Sequence, residues 1–442
     1  KKKNITTLFI LLLFTLAFRY FLKDFGMHPP LNHFSSFMFT SLFGFKDFIF
    51  RFSYIFIYAA GNFLLYLNLK KYLNNNLISI FFIFFALTLP ICILSSTNID
   101  HSVWGYVFLL NFLIYYYFED KIDYKLLVLL ICIFAMARIT IFILILPVLI
   151  EYIYTTKNKS SLRDAIITFA PVLFFLPFIL KIFLLGSNVH NINIKDLFSF
   201  IIDNIYKHDY FNVSNFFIQF HILILFFVGV FFVLRAKKYL KNVNIFITFL
   251  IYLGVYNSIE SNFIGHPKYI FEFIIPFVIL FIVQVFVNYK KFSNYVLIIL
   301  IILNIFNLKK IESKIYFDKS TKKKFQIRKR FNYDRAFEEL ENKNFKLSNN
   351  FIGVYYGFVT EIFYNYNFKE LKQIRLNNLY MKKKLQKNSD LNNYLLSYKN
   401  INSLMIIEDS FDYEKQKFKN WKKINEYFFL NYEKNKIKHL VR

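Results

Sequence analysis

Apolar runs close to the length of a bilayer crossing recur through the first three hundred positions, and short clusters of lysine and arginine separate them. About 20 consecutive apolar residues carry a helix across the hydrocarbon core, and no soluble core needs that pattern repeated. The chain of 442 residues is 56% hydrophobic and 22% aromatic, with 62 Phe. This reads as an α-helical polytopic membrane protein with about 11 transmembrane helices over 1–309. A smaller soluble α/β domain follows over 310–442.

The runs fall at about 5–22, 48–67, 77–95, 103–118, 126–137, 139–154, 165–185, 213–234, 245–258, 267–289 and 294–308. The basic start Lys1-Lys2-Lys3 and the basic turns at Lys70-Lys71, Lys157 to Arg163, Arg235 to Lys241 and Lys290-Lys291 fall on one side. By the positive-inside rule that side is the cytoplasm, in the inner membrane of the cell. The first run lacks a small-residue cleavage site and reads as a retained helix. Eleven crossings place the tail on the far, periplasmic side. Within it, 351–356 and 404–407 read as buried strands, and 334–343 and 390–398 as helices.

The net charge is +27. The lysines are scattered rather than aligned, which fits a compositional bias toward Lys, Asn, Ile, Phe and Tyr; a surface meeting anionic membrane lipids is the alternative. No motif supports nucleic acid as a partner. Cys92 and Cys132 lie inside apolar segments and read as small buried side chains, not as a disulfide or metal pair.

Between the first two runs lies Lys23-Asp24-Phe25-Gly26-Met27-His28-Pro29-Pro30-Leu31-Asn32-His33. Pro29-Pro30 suits the first turn of a helix. Leu31, Phe34, Met38 and Leu42 follow at helical spacing, with polar residues between, so an interfacial amphipathic helix is expected, stopping at Gly44. On this topology Asp24, His28, His33, Asp100, His101, Arg138, Glu260, His266 and Lys268 all stand at the outer ends of helices. Charged groups at membrane depth that face a bundle interior are candidates for function. Carboxylates there can take a proton from a hydroxyl or hold a divalent cation, and Arg138 and Lys268 can neutralise a phosphate. Structural readings stand beside these. Asp24 could pair with Lys23, Asp100 could cap the helix after it, and Arg138 and Lys268 could snorkel to the surface.

The ordered set of outer motifs resembles the GT-C glycosyltransferases, in the branch of the protein mannosyltransferases and the lipid A aminoarabinose transferases. The matching residues are His28-Pro29-Pro30-Leu31 with the helix ending Leu42-Phe43-Gly44, then Arg51, Asn98-Ile99-Asp100, Ala137-Arg138-Ile139-Thr140 before Pro147, and His266-Pro267-Lys268-Tyr269 before Pro276. The resemblance covers roughly the first three hundred residues. It implies a polyprenyl-phosphate-linked sugar donor, an inverting reaction and a site on the non-cytoplasmic face. The acceptor would be a hydroxyl on a glycan, a lipid or a protein. Asp24 and Asp100 would be catalytic, and His28, His101, Arg138, Lys268 and Tyr269 would bind substrate. A metal requirement stays open, a divalent cation being the candidate cofactor. The family carries an Asp-Glu pair in its first outer loop, whereas only Asp24 precedes His28 here. Two other readings use the same charges: a transporter or flippase for a lipid-linked solute, and a non-catalytic membrane assembly protein whose tail binds a partner.

Overall fold

The computed structural model describes residues 30–44, 47–96, 102–156, 162–190, 220–260, 267–290 and 293–315, together with seven short strands between 317 and 431. The chain divides into two compact units, Lys1–Met38 with Arg51–Ile327 and Phe39–Phe50 with Arg328–Arg442.

The described helices are α1 (Pro30–Phe43), α2 (Asp47–Leu73), α3 (Asn76–Thr88), α4 (Pro90–Ser96), α5 (Ser102–Phe118), α6 (Tyr124–Ala135), α7 (Ile145–Thr156, preceded by a 3-10 turn at Ile139–Leu144), α8 (Leu162–His190), α9 (Phe220–Arg235), α10 (Tyr239–Glu260), α11 (Pro267–Phe273), α12 (Ile275–Asn288) and α13 (Ser293–Ile315). Three helical stretches, Phe52–Leu73, Ile139–Thr156 and Tyr239–Tyr256, are long and apolar enough to cross a membrane, and shorter apolar helices pack among them. Several segments read as single runs in the sequence are broken. The run at 77–95 splits before Pro90, and the run opening at Pro267 splits at Ile274, just before Pro276. A proline inside a helix removes a hydrogen bond and clashes with the preceding turn, so each break falls where the ring forbids continuation.

Two expected helix ends hold. α1 begins at Pro30, and Gly44 follows it with φ +85°, a left-handed conformation that an L side chain adopts poorly. Helix α8 runs on to His190, past position 185 where the apolar run ends in the sequence.

Helices α5 and α12 form the centre of the bundle. Both are apolar around most of their circumference, and α12 is buried from Ile275 to Phe286, as expected of a helix surrounded by others. Helix α2 lies parallel to α5: Tyr58 lies beside Tyr106, and Tyr72 stacks on Phe118. Small and polar residues allow that approach. Gly61 faces Val107, and the Asn111 amide donates to the carbonyls of Gly61 and Val107 at 3.0 and 2.9 Å. Helix α6 returns antiparallel, with Phe134 against Trp104 and Phe108. The bundle therefore has two chemically distinct ends.

At one end, Lys71 bonds Glu119, Lys238 bonds Asp120 at 3.2 Å, and Lys241 donates to the Glu119 carbonyl. Asp123 caps α6 by accepting from the amides of Lys125 and Leu126. At the other end lie Leu31, Arg138, Thr140, Tyr252 and Glu272.

In the second unit, β3 (Phe351–Tyr355), β4 (Lys372–Arg375), β5 (Ser403–Ile407), β6 (Trp421–Lys423) and β7 (Phe428–Asn431) make one mixed sheet in the order β4-β3-β5-β7-β6. The central pair is parallel, with Phe351 opposite Ser403 and Tyr355 opposite Ile407. The strands expected at 351–356 and 404–407 are thus present and adjacent. The helices expected at 334–343 and 390–398 lie outside the described residues. In the first unit, β1 (Phe317–Asp318) and β2 (Lys323–Lys324) pair as an antiparallel hairpin.

Candidate functional site

The site is built where α6 stops. The amides of Met136, Ala137 and Arg138 fold back on the carbonyls of Ile133 and Phe134, which ends the helix. Arg138 then takes an extended backbone, φ −148° and ψ 111°, and caps the 3-10 turn that follows. That reversal turns its side chain into the bundle rather than along the surface, and the side chain is only 12% exposed.

A buried guanidinium needs a counter-charge. Glu272 of α11 supplies it, with a side chain 1% exposed: the Arg138 Nε donates to Glu272 Oε1 at 2.5 Å. The Thr140 hydroxyl donates to the same oxygen at 3.1 Å, and Tyr252 of α10 donates to the Thr140 carbonyl at 2.9 Å. The Arg138 guanidinium also lies 5.6 Å from the centre of the Phe273 ring, within range of a cation–π contact. Charge pairing and an aromatic face thus hold the arginine, while the Thr140 hydroxyl holds its carboxylate partner.

Gly105 makes room for this arrangement. A Cβ at position 105 of α5 would lie 2.5 Å from Glu272 Oε1 and 2.6 Å from its Cγ. Next to it, Tyr106 stacks on Phe271 at 4.1 Å between centroids. The carboxylate is therefore seated in a notch in the central helix.

Helix α1 is tied to the same place. The Leu31 amide donates to the Met136 carbonyl at 3.0 Å, two residues before Arg138. The first amides of a helix have no partner within it; here one of them finds its acceptor in the turn that carries the arginine.

Of the residues singled out from the sequence, Arg138 lies in this cluster. Lys268 stands on α11 one turn before Glu272, and Tyr269 on the same helix is half-buried with its ring stacked on Phe273 at 6.1 Å. Asp24, His28, Asp100 and His101 lie outside the described residues. Among the described residues, no group of three or more His, Cys, Asp or Glu gathers as a metal site. Cys92 and Cys132 are free and buried, in keeping with their apolar surroundings.

Sequence reasoning missed Glu272, Tyr252 and Gly105 as parts of the site, and named Thr140 only as the end of the Ala137-Arg138-Ile139-Thr140 motif. One signal was available for the glutamate. It stands alone between Phe271 and Phe273 in an apolar run, and an isolated acid at that depth requires a cation. The notch at Gly105 had no such signal, because glycine in a membrane helix is common for packing alone.

At the opposite end Lys71, Glu119, Asp120, Lys238 and Lys241 are tied up in structural bonds. The Lys71 ammonium holds the Glu119 carboxyl below the usual carboxylate range, and Lys238 does the same for Asp120. That end closes the turn between α5 and α6.

No protein-family model matches the chain, and no curated protein and no solved structure matches it either.

Proposed function

We propose that the chain is an integral-membrane glycosyltransferase of the GT-C type. It moves a sugar from a polyprenyl-phosphate donor to a hydroxyl acceptor at the non-cytoplasmic face of the inner membrane. Asp24 takes the proton from the acceptor hydroxyl. The freed oxygen attacks the anomeric carbon, the bond from that carbon to the phosphate oxygen breaks, and the configuration inverts. Polyprenyl phosphate departs with the bonding electrons. Arg138 and Lys268 balance its charge, so the leaving group needs no strong general acid. Asp100 orients the acceptor or a cation, and His28, His101 and Tyr269 line the substrate site. The periplasmic tail shapes the acceptor side.

One observation carries this reading. Three motif-bearing segments, more than a hundred positions apart, meet at one end of the bundle: Leu31 bonds Met136, and Arg138 bonds Glu272 beside the Lys268-Tyr269 turn. A lone arginine anchor would be met by one element; a substrate site needs several.

The test uses the full chain in proteoliposomes supplied with polyprenyl-phosphate sugars and membrane acceptors. The expected result is release of free polyprenyl phosphate with a matching glycosylated product, and loss of both in Asp24→Asn at unchanged protein level. Full turnover in that variant removes Asp24 from the reaction. Movement of the donor between leaflets without release would make the chain a flippase instead.

A further inference from the structure

We infer that Glu272, seated by Gly105, is a positioning residue that aims Arg138 at a phosphate carried by a membrane lipid; this rests on the glycosyltransferase reading of the site. The puzzle it answers is one of charge. The carboxylate offsets the burial of the arginine's charge, yet beside an anion-binding group it opposes binding by ordinary electrostatics, so its cost to binding needs a compensating role. Arginine has a long, flexible side chain that reaches for water when it can. Bonded at Nε to a carboxylate that Thr140 also holds, and flanked by the Phe273 ring, Arg138 is instead held inside the bundle. Fixing a guanidinium in advance removes the ordering cost from the binding step. The planar fork then meets a phosphate with its geometry already set.

Two substitutions separate position from charge. Gly105→Ala keeps every charge but puts a methyl 2.5 Å from the Glu272 oxygen. The crowding atoms are Glu272 side-chain atoms from Cγ outward and no backbone, so the carboxylate must move, and the parallel unfolding measurement shows whether helix α5 tolerates it. Glu272→Gln keeps the shape but removes the negative charge. If Glu272 acts only through its charge, Glu272→Gln tightens anion binding and Gly105→Ala leaves it alone. If Glu272 positions Arg138, both weaken it.

The experiment measures binding of polyprenyl phosphate to the full chain in nanodiscs, with inorganic phosphate as competitor and thermal unfolding in parallel. The expected result is a loss of affinity on the order of tenfold to a hundredfold in Gly105→Ala, a smaller loss in Glu272→Gln, and partial recovery in Glu272→Asp. Competition by millimolar inorganic phosphate would make the ligand a free phosphate and overturn the lipid assignment. Wild-type binding with Gly105→Ala unchanged, or with Glu272→Gln tighter, overturns the positioning role while leaving the glycosyltransferase reading standing. A wild-type chain that binds no polyprenyl phosphate overturns both. A fall in melting temperature with affinity unchanged makes the pair structural only.

Discussion

A single ion pair decides much of the local energetics at the arginine end. Arg138 is 12% exposed and Glu272 1%, so both charges are largely removed from water. Their attraction offsets that cost only because Thr140 and Phe273 add contacts. Glu272→Ala or Arg138→Ala should therefore destabilise the protein by about 3–5 kcal/mol, since each leaves its partner as an unpaired buried charge. The double replacement Arg138→Met with Glu272→Leu should recover most of that loss while abolishing the proposed sugar transfer. Thermal unfolding of the detergent-solubilised chain, set beside turnover, checks both halves. The arginine was legible in the sequence because it interrupts two apolar segments. The glutamate's isolation in an apolar run was a signal too, but its pairing with Arg138 was not legible, because 134 positions separate them.

Among the elements, the lysine end works as a clamp. Lys71 from α2 and Lys241 from α10 both reach the Glu119 turn, one to its carboxylate and one to its carbonyl. The bond to Lys71 lowers the Glu119 pKa, so its contribution is complete above the ordinary carboxylate value of about 4.3 and fades as pH falls through the lowered one. The Lys71 side chain is 59% exposed, and the effect should stay below about 1 kcal/mol. Unfolding midpoints measured from neutral pH down to about pH 3 should show this acid-side slope, and Glu119→Gln should flatten it.

Helix packing gives a larger effect. A Cβ at Gly229 of α9 would lie 2.0 Å from the Phe281 carbonyl oxygen of α12, whereas at Gly61 it meets the Val107 side chain. Backbone cannot swing aside as a side chain can. Gly229→Ala should cost at least about 2–3 kcal/mol, more than Gly61→Ala, in the same unfolding assay. Most of the described helices lie on apolar runs that are visible in the sequence. The breaks at Leu89–Pro90 and Ile274 were harder to read, because hydrophobicity runs on through a proline that the backbone cannot ignore.

At the scale of the whole bundle, the two ends predict two sides. A membrane-impermeant maleimide should label Lys70→Cys and Lys237→Cys from one face of the membrane and Lys268→Cys from the other. The native thiols should stay silent, because Cys92 and Cys132 are fully buried. Labelling of all three from the same face would dismantle the outer-site proposal. The same geometry also constrains how a lipid could travel. Where Gly229 lets α9 settle onto the Phe281 backbone, the two main chains touch, and no hydrocarbon tail can slip between them. At that point the wall is a closed seam, so on the glycosyltransferase proposal a prenyl chain would thread toward Arg138 through some other gap between the helices.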